Sequence, residues 1–159
     1  MTSQILREQQ STALEAFVNL LRAHAATTRS LSAELQEEHG LTINDYEALL
    51  RLSRADDERM RRVDLAAALV LTPSGVTRML DGLERTGLVG KATCPSDARV
   101  TYACLTPEGK RALNRASRSH LASVRALFGE RYSEEELETL ANLLGRLSGV
   151  TADSAGCAA

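Results

Sequence analysis

The segment from Val63 to Arg99 limits what this chain can fold into more than any other. An alanine- and leucine-rich helix pattern runs from Arg62 to Val70, with Val63, Leu65, Ala66 and Leu69 read as its buried side. It breaks at Leu71-Thr72-Pro73 and restarts as a second helix in which Val76, Leu80 and Leu83 recur at intervals of four and three. Thr72 is placed to cap that helix, and Pro73 to occupy its first turn, where a missing N–H does no harm. Gly87 stops it and Leu88-Val89 begins a strand. Ala92 to Ala98 reads as a loop, and Thr101 to Leu105 returns with Ala103 and Leu105 facing inward. Helix, tight break, capped helix and hairpin, in that order, predict a winged helix-turn-helix. Such a unit lays its second helix in the DNA major groove, and the wing adds a basic contact to the flanking backbone or minor groove.

With Val76, Leu80 and Leu83 inward, Ser74, Gly75, Thr77 and Arg78 point outward near the start of the second helix. Together with Thr72 they form the candidate recognition set. Small and hydroxylated side chains allow close approach to the groove floor, and the helix N-terminus offers N–H groups to phosphate. Arg78 can donate two bonds to guanine O6 and N7; the alternative is that it merely pairs with Asp81 or Glu84 on the same helix. On the hairpin, Lys91 and Arg99 are the candidate backbone and minor-groove contacts. Asp97 is poorly placed for phosphate. It is expected to orient an arginine, either Arg99 or one from the second helix; the alternative is a surface ion pair of little value.

The net charge of -2 argues against nucleic acid until its distribution is considered. Between Arg51 and Arg118 there are 13 Lys/Arg against 8 Asp/Glu, leaving 6 of the 19 cations and 13 of the 21 acids to the remainder. A basic middle between acidic ends can present one positive face to phosphate. Aromatics are 3% of the residues and Trp is absent, so Leu and Ala must do the packing, which favours helices. No window approaches the ~18 apolar residues of a membrane span, and the start lacks a secretory pattern. Cys94, Cys104 and Cys157 are an odd number at no ligand-like spacing. These features imply a reducing cytoplasm, no membrane and no disulfide framework. His24, His39 and His120 are scattered, and no catalytic, metal-binding or cofactor-binding constellation stands out.

Outside the winged unit the chain reads as helices. Leu14, Phe17, Val18, Leu21, Ala25, Leu31 and Leu35 mark a long amphipathic helix ending at Gly40. Thr42 with Asp45 starts a second helix through Tyr46, Leu49, Leu50 and Leu52. Ser53 to Glu58 is a polar break, and Arg59-Met60-Arg61 an edge strand. Thr106-Pro107 opens a long helix to about Phe128, and Ser133 with Glu136 caps a last helix carrying Leu137, Leu140, Leu143, Leu144 and Leu147. Thr151 to Ala159 is expected to be a frayed tail. These ends hold more apolar helix face than one winged unit can cover, and a second copy is the economical cover, so a homodimer is expected.

The run Leu71 to Val89, with Asp97-Ala98-Arg99 and Leu105-Thr106-Pro107-Glu108-Gly109 after it, resembles the MarR family of bacterial regulators. The resemblance extends over nearly the whole chain; Gly90-Lys91 departs from the more strongly charged pair of many relatives. It implies a mainly α fold: a dimerisation helix at 1–40, a winged helix-turn-helix at 41–106, closing dimerisation helices at 107–150 and a flexible tail at 151–159, in one compact domain. It also implies a homodimer on a pseudo-palindromic double-stranded DNA operator, usually repressing, often relieved by a small lipophilic or phenolic effector. Recognition falls on Ser74, Gly75, Thr77 and Arg78, and wing insertion on Arg99. From position alone, Phe17, Arg22, His24, Tyr46 and Arg111 are effector-pocket candidates. Two alternatives stand beside this reading. Cys94, between Lys91 and Arg99, could form a reactive thiolate and sense oxidants. The winged unit could instead be an interaction module without a DNA role.

Overall fold

The computed structural model describes residues 12–69, 71–94 and 97–148, excepting the side chains of Pro73, Cys94, Asp97, Ala98, Arg99 and Ser148. The tail from Thr151, the loop residues Pro95 and Ser96, and Val70 lie outside the described residues. Two compact units divide the chain after His120.

In the first unit, α1 (Thr12–His39) ends where Gly40 takes φ 67, a left-handed conformation that glycine adopts without strain. Leu41 is buried, and α2 (Ile43–Arg54) starts on a reciprocal cap. The Asp45 N–H donates to Thr42 Oγ1 at 3.2 Å, and the Thr42 N–H donates to Asp45 Oδ2 at 2.9 Å. Tyr46, Ala48, Leu49 and Leu52 form its buried face. The polar break contains a 3-10 turn, Asp56–Glu58, in which Asp57 and Glu58 both adopt φ 53. That conformation is strained for residues with a β-carbon, and ion pairs from Arg59 to Asp57 and from Lys110 to Glu58 flank it.

β1 (Arg59–Arg61) leads into α3 (Arg62–Leu69), then α4 (Pro73–Arg85), β2 (Val89–Cys94), β3 (Asp97–Leu105) and α5 (Pro107–Gly129). The sheet has the order β1-β3-β2 and is antiparallel throughout. Met60 pairs with Ala103, and Lys91 pairs with Ala103 from the other side, so these three share a sheet face with Val89 and Leu105. Val89, Ala103 and Leu105 join Leu35, Leu49, Leu52, Leu65, Leu69, Val76, Leu80, Leu83, Leu113 and Ala116 in one core.

Two expectations need correction. Val63 is 69% exposed, not buried. It lies about 200° around the helix from Leu65, and Leu65 and Leu69 set the inward direction of this short helix. The hairpin ladder is also longer than read: Ala92 to Cys94 and Asp97-Ala98 are strand, not loop. The other caps, stops and strands fall where the sequence placed them.

In the second unit, the end of α5 turns at Phe128 to Tyr132, whose rings lie 6.4 Å apart. α6 (Glu134–Ser148) opens on the expected capping box: the Ser133 N–H donates to Glu136 Oε2 at 2.8 Å, and the Glu136 N–H to Ser133 Oγ at 3.3 Å. Leu143, Leu144 and Leu147 are exposed on it. Exposed apolar residues also line α1 in the first unit: Leu14, Phe17, Leu20 and Leu21.

Candidate nucleic-acid interface

α3 and α4 turn through 112°, within the ~90–120° range of a helix-turn-helix. Thr72 is extended (φ -66, ψ 151) and accepts the Gly75 N–H on its hydroxyl at 3.2 Å. A β-carbon on Gly75 would sit 3.1 Å from that hydroxyl, so the small residue keeps the cap close. Val76, Leu80 and Leu83 are buried at 2%, 0% and 3% exposure, which fixes the rotation of α4. Ser74, Thr77 and Arg78 are consequently exposed, with Gly75 half-buried beside them. The four outward positions read from the sequence are brought together on the first turns of one helix.

Arg78 forms no ion pair or hydrogen bond with another described residue, and neither Asp81 nor Glu84 pairs with it. Those two carboxylates face Arg62 of α3, at 3.4 Å and 3.9 Å. Sequence reasoning missed Arg62. The available signal was a cation in the first turn of a helix, where the macrodipole disfavours it unless something else holds it.

The wing is tied to α5 by Thr106. Its hydroxyl donates toward the Gly87 carbonyl at 2.7 Å and the Leu88 carbonyl at 3.0 Å, and it accepts the Gly109 N–H at 3.0 Å. Gly87 itself takes φ 72, ending the α4 segment. Lys91 is exposed on β2 and makes no ion pair with a described residue. The backbones of Cys94, Asp97 and Arg99 lie at the far end of the ladder, and their side chains lie outside the described part.

The crystal structure of AbsC, a MarR family transcriptional regulator from Streptomyces coelicolor, superposes on this fold with a TM-score of 0.78. It is 33% identical, over 88% of this chain and 94% of that one. The chain belongs to the MarR family. The MarR family model matches residues 41–101, from the end of α1 into β3. Sco3205, a second MarR family regulator from Streptomyces coelicolor whose crystal structure is in complex with DNA, is 30% identical with a TM-score of 0.76, over 87% of this chain and 88% of that one. YetL of Bacillus subtilis (strain 168), an HTH-type transcriptional repressor, is 33% identical over 108 residues, 68% of this chain. The match spans 64% of YetL's own length.

In this MarR family chain the five effector-pocket candidates occupy different settings. Phe17, Arg22 and His24 are exposed on α1. His24 lines a shallow cavity of about 680 Å³ with Ala25, Thr28, Arg29, Ser32, Ala33 and Gln36, and none of the other four candidates contributes to it. Arg111 is exposed and bonded to Glu108, and that bond, with the arginine's charge, holds the Glu108 carboxyl below its ordinary range. Tyr46 is buried; its hydroxyl lies 3.2 Å from Ser117 Oγ and its ring 4.6 Å from that of His120. His39 bonds Ser119 at 2.6 Å. Among the described residues no group of three His, Cys, Asp or Glu could hold a metal ion, and no single helix is long and apolar enough to cross a membrane.

Proposed function

We propose that this chain is a homodimeric, sequence-specific transcriptional regulator that represses from a pseudo-palindromic operator and responds to a small lipophilic or phenolic effector. The observation that carries the reading is the capped α4, turned 112° from α3, with exposed Ser74 and Thr77 at its start beside Arg78, which has no ion-pair partner among the described residues. Arg78 reads a guanine edge, the α4 N-terminus receives phosphate, and Lys91 and Arg99 follow the flanking backbone and minor groove. Exposed Leu14, Phe17, Leu20 and Leu21 in the first unit, and Leu143, Leu144 and Leu147 in the second, support burial against a second copy. Two recognition helices then enter major grooves about one helical turn apart. The repressing output is supported by the resemblance to YetL.

A mobility-shift assay on DNA flanking the chain's own gene tests this. Retention is expected, falling steeply with salt. Arg78→Ala is expected to lose discrimination between operator and scrambled DNA by about tenfold or more. Arg99→Ala is expected to weaken both similarly. A Leu21→Glu/Phe17→Glu variant is expected to sediment as a monomer. Wild-type binding by both arginine variants would refute the docking.

A further inference from the structure

α4 carries two acids close to its outward face. With about 100° per residue and Val76, Leu80 and Leu83 inward, Glu84 borders the buried side. Asp81 lies between it and the stripe holding Arg78 and Arg85. In an isolated helix Asp81 would meet Arg78, three residues before it, or Arg85, four after it. The structure routes both acids elsewhere. Arg62 Nη2 lies 3.4 Å from Asp81 Oδ1 and 3.9 Å from Glu84 Oε1. The Arg62 side chain is only 20% exposed, and Glu84 Oε1 is shielded from solvent with no hydrogen-bond partner of its own. A shielded carboxylate oxygen needs a compensating charge, and Arg62 is the cation it faces. The adjacent Arg61 is engaged separately: Asp64 accepts from its Nε at 2.6 Å and its Nη2 at 2.9 Å. Arg62 thus starts α3 against the helix dipole and reaches across the turn to the recognition helix.

We propose that Arg62 is a positioning residue for DNA recognition: by holding Asp81 and Glu84 it keeps Arg78 unpaired and shields phosphate from the acidic flank of α4. This rests on the DNA-binding reading above. Arg62 touches no base in this scheme. Its effect passes through the two acids, so it vanishes when they are neutralised.

The test is a cycle on the full chain, with affinity for DNA flanking its own gene measured across a salt series. In the wild-type background, Arg62→Met is expected to weaken binding about tenfold, since it releases acids against the groove-reading arginine. In the Asp81→Asn/Glu84→Gln background, the same substitution is expected to change affinity less than about threefold. The slope of log affinity against log salt is expected to stay unchanged. If Arg62 instead contacts phosphate, both backgrounds lose affinity equally and the slope falls by about 0.9; that result overturns the proposal. Arg62→Gln carries the same cycle where the methionine variant fails to fold. Wild-type protein that binds none of its flanking DNA refutes the regulator reading and this inference with it. Wild-type binding with equal losses in both backgrounds refutes the inference alone.

Discussion

Gly109→Ala is expected to destabilise this chain although it places a better helix former in α5. Gly109 is buried in the first turn of that helix, where it crosses the start of the wing. A β-carbon there would lie about an ångström or more inside van der Waals contact with the Leu88 carbonyl oxygen. It would also lie 2.9 Å from Leu105 Cδ1 and 3.0 Å from the Leu88 carbonyl carbon. Leu88 cannot simply yield. Its carbonyl accepts the Thr106 N–H at 3.2 Å and the Thr106 hydroxyl at 3.0 Å. Overpacking of this kind costs about 1–3 kcal/mol, and weakening the two bonds adds roughly 1 kcal/mol each at most. The alanine gains about 1 kcal/mol of helix propensity. The net is a loss of about 2 kcal/mol, or roughly 4–8 °C in thermal midpoint for a chain of this size. Far-UV circular dichroism at fixed protein concentration reads it. Operator affinity should fall as well, because the displaced segment leads directly into β2 and Lys91. A midpoint equal to or above that of the wild type would show that α5 does not press on the wing base, and would refute the reasoning.

Thr72→Ala removes the hydroxyl that caps α4 and is expected to cost about 1 kcal/mol, seen as a lower urea midpoint with unchanged slope; an unchanged midpoint would mean the cap contributes nothing. His120 predicts a pH dependence. Burial holds its imidazolium below the ordinary range, with Glu34 on α1 acting in the opposite direction. The unfolded chain therefore takes up this proton at higher pH than the folded one. The stabilising contribution is complete above the unfolded value of 6.5 and is lost as pH falls through it toward the lower folded value. Between pH of about 7.5 and about 5.5, the urea midpoint of His120→Asn should fall less than that of the wild type, and an equal fall would exclude this ring as the source.

The caps and stops were legible because each depends on residues close in sequence. Thr42 with Asp45, Thr72 with Gly75, Thr106 with Gly109 and Ser133 with Glu136 all act across three residues. Gly40 and Gly87 both adopt the positive φ that a helix stop requires. The inward face of α4 was legible for a similar reason, since Val76, Leu80 and Leu83 leave one choice of rotation. Val63 misled because α3 is only 8 residues long, and one apolar residue can sit on the wrong side without breaking so short a pattern. The outer wing misled because its strands extend past the core: Lys91 and Thr93 are exposed on the face where Val89 and Ala103 are buried. There, backbone pairing alone defines the strand and no burial pattern marks it. Arg62 was invisible because its partners lie 19 and more residues away, on a helix whose angle only the folded turn sets.

The charge of this chain shows how little a net value decides. Of the 8 acids between Arg51 and Arg118, Asp57, Glu58, Asp64, Asp81, Glu84 and Glu108 face a cation within 4 Å. Most of these pairs are exposed, and such pairs contribute little to stability. Their consequence is spatial. Arg59, Arg61, Arg62, Lys110 and Arg111 are occupied by carboxylates, whereas Arg78 on α4 and Lys91 on β2 have no ion-pair partner among the described residues. In the proposed docking, a polyanion laid along α4 and the wing would meet these cations first and release their counterions, and the six paired acids would be screened from it at short range. The 13 acids outside this segment, of which only Asp45 and Glu47 fall within the matched residues 41–101, turn the net charge to -2. A substitution that keeps the net charge but moves one acid to the outward side of α4 should therefore weaken DNA binding more than one that adds an acid to α6.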